Sequence, residues 1–221
     1  MKMPLSPQRR GAIKGLYAIT DGPRQDLLDV VAAALRGGAR VVQYRDKTRE
    51  IGRRHAEAFA IAALCRRHDA LFIVNDDIQL ASASSADGVH IGENDAHIAV
   101  ARECLGDAAI IGVSCYDSLE RARDVAERGA DYLAFGAFFP SRSKETPRRA
   151  APKLLSEACQ FGLPLVAIGG IDAGNAASLI SSGADAIAVI SALFGAGDVE
   201  AQARALSSLF DAAAHRVDAD T

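Results

Sequence analysis

Short runs of branched and aromatic apolar residues recur along the chain at Leu16 to Thr20, Val41 to Arg45, Leu71 to Asn75, Gly88 to Ile91, Ile110 to Ser114, Tyr132 to Gly136, Leu165 to Gly169 and Ala186 to Ser191. Their length and composition predict strands. Between them, segments such as Asp26 to Arg36, Arg49 to Arg67, Ser118 to Arg128 and Ala150 to Cys159 carry Ala, Leu and Arg at helical spacing. Several helices close on one turn signature: Arg36-Gly37-Gly38-Ala39, Arg128-Gly129-Ala130-Asp131 and Ser182-Gly183-Ala184-Asp185. Glycine there supplies the left-handed residue that ends a helix. Strand and helix alternate throughout, which predicts a parallel sheet covered by helices. Eight repeats in about 200 residues predict that the sheet closes into a single (β/α)8 TIM barrel of the α/β class. The alternative, an open doubly wound sheet, lacks a GxGxxG turn after its first strand.

Length agrees with one domain: 221 residues suffice for a single barrel core. The expected organisation is a flexible leader over 1–14, the barrel over 15–215 and a frayed tail over 216–221. The 25 Lys and Arg against 28 Asp and Glu leave a formal net charge of -3, which gives no field for gripping a polyanion, so nucleic acid is not an expected partner. The apolar runs are shorter than the roughly 20 residues of a membrane helix, and the basic start of the chain lacks a signal peptide's apolar stretch. Cys65, Cys104, Cys115 and Cys159 show no CxxC or metal-like spacing, which fits reduced thiols in a cytoplasmic protein. Pairing into a homo-oligomer through outer helices is compatible with this pattern.

Chemistry on such a barrel gathers where the strands end. Gln43, Arg45 and Lys47 alternate with Tyr44 and Asp46, so an extended backbone sets an amide and two cations on one face. Asn75-Asp76 closes the third strand and Asp95 follows the fourth. Two carboxylates on neighbouring loops suit a hard cation such as Mg2+, although Asp95 also suits a helix N-cap. His90 reads as a packed barrel residue. The longest loop, Phe139 to Arg149, carries Ser141, Arg142, Ser143 and Lys144, a density of hydroxyls and cations that fits an anion; Arg148 and Arg149 read as solvated. Gly169-Gly170 and the segment from Ser191 fall where many barrels bind phosphate through backbone N–H groups. Two anion-binding ends with a cation between them describe an enzyme that handles a phosphate or diphosphate.

At these residues the chain resembles the thiamine-phosphate synthase family. The resemblance runs through Leu16-Tyr17-Ala18-Ile19-Thr20-Asp21, Gln43-x-Arg45-x-Lys47, Val74-Asn75-Asp76, Ala86-Asp87-Gly88-Val89-His90-Ile91-Gly92, Gly112-Val113-Ser114, Phe135-Gly136 to Lys144, and Ala167-Ile168-Gly169-Gly170-Ile171. It implies that a pyrimidine diphosphate loses pyrophosphate while the nitrogen of a thiazole phosphate takes its place. It further implies that Gln43, Arg45, Lys47 and Asn75 hold the pyrimidine diphosphate and that Asp76 and Asp95 bind Mg2+. By the same resemblance, Ser114 contacts the pyrophosphate or the pyrimidine, Lys144 binds the diphosphate, and Ser141, Ser143, Gly170, Ile190 and Ser191 hold the thiazole phosphate. Arg45, Lys47, Ser114 and Lys144 are the expected catalytic groups. The chain departs from the family pattern at Ser141 and Ser143, where Thr is usual, at Glu93, where Gln is common, and at Tyr116, where His is frequent. Rival readings are a thiazole tautomerase on the same barrel and a sensor that binds phosphates without turnover. The Gln43, Arg45, Lys47 set and the Ser143-Lys144 pair favour the synthase.

Overall fold

The computed structural model describes residues 13–92, 98–140 and 148–219, the last eight of these by backbone alone. The chain runs β1 (Gly15–Ile19), α1 (Leu27–Arg36), β2 (Val41–Tyr44), α2 (Ile51–Arg67), β3 (Leu71–Asn75), α3 (Ile78–Ala83), β4 (Gly88–Ile91), α4 (Ile98–Leu105) and β5 (Ile110–Tyr116). It continues with α5 (Leu119–Glu127), β6 (Tyr132–Phe135), α6 (Lys153–Ala158), β7 (Leu165–Ile168), α7 (Ala176–Ser181), β8 (Ala186–Val189), α8 (Ser191–Phe194) and α9 (Val199–Ala219). All eight strands pair in parallel with their sequence neighbours, and β8 returns to β1, so the sheet is a closed barrel as the alternation predicts. No helix among the described residues is long and apolar enough to cross a membrane.

Alternation along each strand divides the apolar residues between two cores. Leu16, Ala18, Val42, Phe72, Val74, Val89, Ile111 and Val113 face the helices in the larger one. Tyr17, Ile19, Val41, Ile73, Ile110, Tyr132, Val166, Ala186 and Ala188 fill the barrel itself, and Ile13 packs with them from before β1. Burial on both faces is why the strands read as nearly continuous apolar runs. Large and small residues complement one another inside. Tyr17 and Tyr132 bring bulk, whereas β8 supplies two alanines and β5 supplies Gly112, at which a Cβ would fall 1.8 Å from the Tyr132 ring.

The recurrent helix-ending turn does more than reverse the chain. Gly129 and Gly183 take φ of +94° and +107°, positions at which a side chain would be strained. The aspartate two residues on then reaches the strand before it. Asp131 Oδ2 accepts from Ile111 N and Asp185 Oδ2 from Leu165 N, each at 2.8 Å, and Asp87 Oδ2 accepts from Phe72 N at 2.8 Å in the same way. Three aspartates thus tie β4, β6 and β8 to the starts of β3, β5 and β7, at the end of the barrel opposite the mouth.

The locks differ in charge balance. Asp131 also meets Arg102 at 2.8 Å, but burial raises the Asp185 carboxyl above its ordinary value, with the Leu165 N–H only partly opposing it. A raised carboxyl stabilises the fold below its unfolded value, and that contribution is lost as pH rises through the folded value, so at neutral pH the charge on Asp185 works against folding. Asp185→Asn keeps an acceptor and removes the charge. Its Tm at pH 7.5 is expected to equal or exceed the parent's, with the gap closing as pH falls toward 4. Asp131→Asn removes the charge opposite Arg102 and is expected to lose about 1–3 kcal/mol. Melting curves of both variants across this range check the contrast.

Candidate active site

The mouth is assembled by side chains that fix the backbone at each strand's end. On β2, Tyr44 and Asp46 turn outward: the Tyr44 hydroxyl donates to Glu57 at 2.7 Å, and Asp46 pairs with Arg53 at 2.7 Å. Burial opposes the charge on Asp46, but the Thr48 N–H and Arg53 outweigh it and hold its carboxyl below the ordinary value. Against these outward anchors, Gln43 turns into the barrel to meet Tyr17 and Lys47 reaches toward Asp76, the alternation that their spacing predicts for these two. A clip from β1 completes the arrangement. The Thr20 hydroxyl accepts from Arg45 N at 2.8 Å and lies 3.1 Å from Arg45 O, its acceptor, while Thr20 N donates to Gln43 O at 3.0 Å.

Lys47 meets the loop after β3. Its Nζ stands 3.9 Å from Asp76 Oδ2, with both side chains partly open to solvent. Asp76 has φ of +62° and is fixed by Asp76 N donating to His90 O at 2.9 Å. Its neighbour Asp77 serves structure instead, accepting from Leu80 N at the start of α3 and pairing with Arg54 at 2.7 Å. Asn75 ends β3 half-buried. On β5, Ser114 lies 2.9 Å from His90 Nε2, and Arg121 from α5 donates to Ser114 O at 2.7 Å and to Gly92 O at 3.2 Å. Arg121 therefore sets the spacing of the β4 and β5 ends.

The opposite rim is backbone. At Gly170 a Cβ would stand 2.4 Å from Pro140 O and 2.7 Å from Phe139 O, so the loops after β6 and β7 approach as closely as only glycine permits. Asn175 Nδ2 donates to Gly170 O at 3.0 Å and secures that loop. Ile190 is half-buried, and Ser191 opens α8 at the surface. Arg24, in the loop after β1, pairs with Asp21 and Asp26 and donates to Phe194 O at 2.9 Å, joining the first and last loops of the mouth.

The structure thus brings Gln43, Arg45, Lys47, Asn75, Asp76, Ser114, Gly170, Ile190 and Ser191 to one end of the barrel. Asp95, Ser141, Ser143 and Lys144 lie outside the described residues. Among the described residues no three His, Cys, Asp or Glu side chains cluster as metal ligands, and Asp76 is the expected ligand that the structure places. Arg148 and Arg149 are exposed, as their reading as solvated predicts; Arg148 also sits 4.7 Å above the centre of the Tyr116 ring, a cation–π contact, and Arg149 donates to Phe139 O at 3.0 Å. Sequence reasoning missed Tyr17 and Tyr132, whose hydroxyls lie 2.8 Å apart inside the barrel, with Gln43 on one side and His90 on the other. Their signal was a phenol at an inward strand position, where the hydroxyl must find a partner.

A closed parallel barrel whose strand ends gather two cations, a carboxylate, a hydroxyl and a glycine-lined rim defines the class as a (β/α)8 enzyme handling phosphorylated substrates. Residues 16–193 match the family model described as thiamine monophosphate synthase. The thiamine-phosphate synthase of Halorhodospira halophila is 53% identical over 195 residues, covering 88% of this chain and 93% of that protein. The thiamine-phosphate synthase of Chromobacterium violaceum is 52% identical over 202 residues, covering 90% and 98%. Among solved structures, thiamine phosphate pyrophosphorylase from Pyrococcus furiosus superposes with a TM-score of 0.82 at 36% identity, covering 92% of this chain and 98% of that one. The chain belongs to the thiamine monophosphate synthase family and is a transferase.

The clip on Arg45 yields a direct test. Thr20→Val keeps the shape of this buried side chain and removes both hydrogen bonds. It is expected to lose about 1–3 kcal/mol of stability and to weaken binding of magnesium pyrophosphate several-fold, as read by thermal melts and calorimetric titration. A variant that loses stability but keeps its affinity would separate Thr20 from the site.

Proposed function

We propose that the chain joins 4-amino-2-methyl-5-(diphosphooxymethyl)pyrimidine to thiazole phosphate, giving thiamine phosphate and pyrophosphate. The observation that carries this reading is Lys47 beside Asp76, a cation and a carboxylate on adjacent loops at the mouth of a barrel of this family. At 3.9 Å they stand beyond hydrogen-bond distance. That separation, together with the hard oxygen donors of Asp76, fits a divalent cation on the carboxylate next to a diphosphate on the ammonium. Mg2+ is the proposed ion, with Asp95 as its second carboxylate; when bound it supplies positive charge to the leaving diphosphate.

Arg45 and Lys47 hold the diphosphate, and Lys144 adds a third cation to it. As the bond between methylene carbon and diphosphate oxygen breaks, negative charge grows on the leaving group, and these cations stabilise it more strongly than the bound substrate. The pyrimidine's amino group feeds electrons toward the methylene. The thiazole nitrogen then forms the new carbon–nitrogen bond with its lone pair. No proton leaves the attacking nitrogen, so the residues act by placement and charge and no general base is needed. Gln43, Asn75 and Ser114 orient the pyrimidine diphosphate, and Ser141, Ser143, Gly170, Ile190 and Ser191 hold the thiazole phosphate opposite. The four free thiols support a cytoplasmic setting.

Pyrophosphate release is expected only with both substrates and Mg2+, and EDTA is expected to abolish it. Asp76→Ala is expected to raise the Mg2+ concentration for half-maximal rate by at least about tenfold, the effect of losing one carboxylate ligand. Lys144→Ala is expected to slow single-turnover release far more than His90→Ala. Release that ignores EDTA, or equal losses in the last two variants, would contradict this reading.

A further inference from the structure

A continuous path of hydrogen bonds, buried up to its last and half-buried link at Ser114, crosses the barrel beneath the mouth. Gln43 Nε2 lies 2.8 Å from Tyr17 Oη, Tyr17 Oη lies 2.8 Å from Tyr132 Oη, Tyr132 Oη lies 2.9 Å from His90 Nδ1, and His90 Nε2 lies 2.9 Å from Ser114 Oγ. Tyr17 and Tyr132 are fully buried, and His90 is 9% exposed. The two rings also meet edge to face at 6.1 Å, and the imidazole stacks on Tyr132 at 5.6 Å, so the groups are locked in place as well as bonded. The path begins and ends on two residues expected at the substrate, Gln43 and Ser114.

We propose that Tyr17, Tyr132 and His90 form a one-way chain of hydrogen bonds that holds the Ser114 hydroxyl as a donor toward the mouth, with Tyr132 as a positioning residue.

The direction follows from counting protons. An amide nitrogen can only donate, so Tyr17 Oη accepts from Gln43. The Tyr17 proton then has Tyr132 Oη as its acceptor, because a buried hydroxyl proton without an acceptor is strongly unfavourable. Tyr132 Oη, having accepted, donates to His90 Nδ1. A neutral imidazole carries one proton, so that proton sits on Nε2 and is donated to Ser114 Oγ. With its oxygen engaged from below, Ser114 directs its own proton upward, to an acceptor atom on the substrate. Reversing the Tyr132 bond would leave the Tyr17 proton without an acceptor among these partners. Desolvation pushes both phenols well above their ordinary value, so each keeps the proton that the chain requires. Each donor is polarised by the one before it, which strengthens the last bond.

Ser114's use of that proton on the pyrimidine diphosphate rests on the function proposed above, whereas the direction of the chain does not. Two measurements keep them apart. In the unliganded wild-type protein, 15N NMR of the histidine rings should show His90 protonated at Nε2 and unprotonated at Nδ1. The opposite tautomer, or an imidazolium at pH 7.5, would overturn the chain, and this result needs neither activity nor a variant. For the positioning role, Tyr132→Phe should lower kcat/KM for the pyrimidine diphosphate about tenfold and leave KM for thiazole phosphate within about twofold of the parent. In a Ser114→Ala background the same change should add no further loss. Independent, multiplicative losses, or equal rises in both KM values, would assign Tyr132 to structure alone.

Discussion

Two phenols buried inside a barrel must find hydrogen-bond partners there, and among the described residues their hydroxyls meet each other, Gln43 and His90. That constraint organises the molecule. It requires room for the rings, which the alanines of β8 and Gly112 provide. It requires polar partners at fixed heights on β2 and β4, and these lie next to the strand ends where the mouth begins. The polar layer is therefore both the top of the barrel's core and the floor of the site.

The two ends of the barrel are specialised by the same connections. At the closed end, the turn that finishes a helix delivers an aspartate to a backbone amide at the start of the preceding strand, three times around the ring. At the open end, described residues at several strand ends are fixed by neighbours: Thr20 clips Arg45, Arg121 grips the β4 and β5 ends, and Arg24 ties the first loop to the last. Stability is concentrated below and geometry above. This separation lets loops carry charge clusters such as Lys47 and Asp76 without disturbing the core.

Much of this arrangement was legible in the sequence. Strands with both faces buried announce themselves as apolar runs, and the alternation along the segment after Val41 foretold that Gln43 and Lys47 turn away from the outward Tyr44 and Asp46. Strand ends were less legible. Thr20, Arg45 and Gly136 follow their strands instead of closing them, and β5 continues past Ser114 to Tyr116 through an irregular register with β6. Phenols within apolar runs read as ordinary core, because nothing local in Tyr17 or Tyr132 reveals a partner more than a hundred residues away. The same holds for Arg148, whose ring contact Tyr116 comes from the end of β5. Long-range pairings of this kind depend on closure of the barrel, which periodicity predicts in outline but not in register.

The account's central claim is that the packing of the barrel interior sets the chemistry of the mouth. Gly112 tests it most directly, since it is not among the residues expected at the substrate yet leaves the space that Tyr132 occupies. Gly112→Ala displaces that ring and its hydroxyl. The measurement is single-turnover pyrophosphate release beside the thermal unfolding midpoint. A folded variant with a midpoint lowered by several degrees and release slowed at least about tenfold is the predicted result. A variant with the same loss of stability and an unchanged rate would contradict the claim.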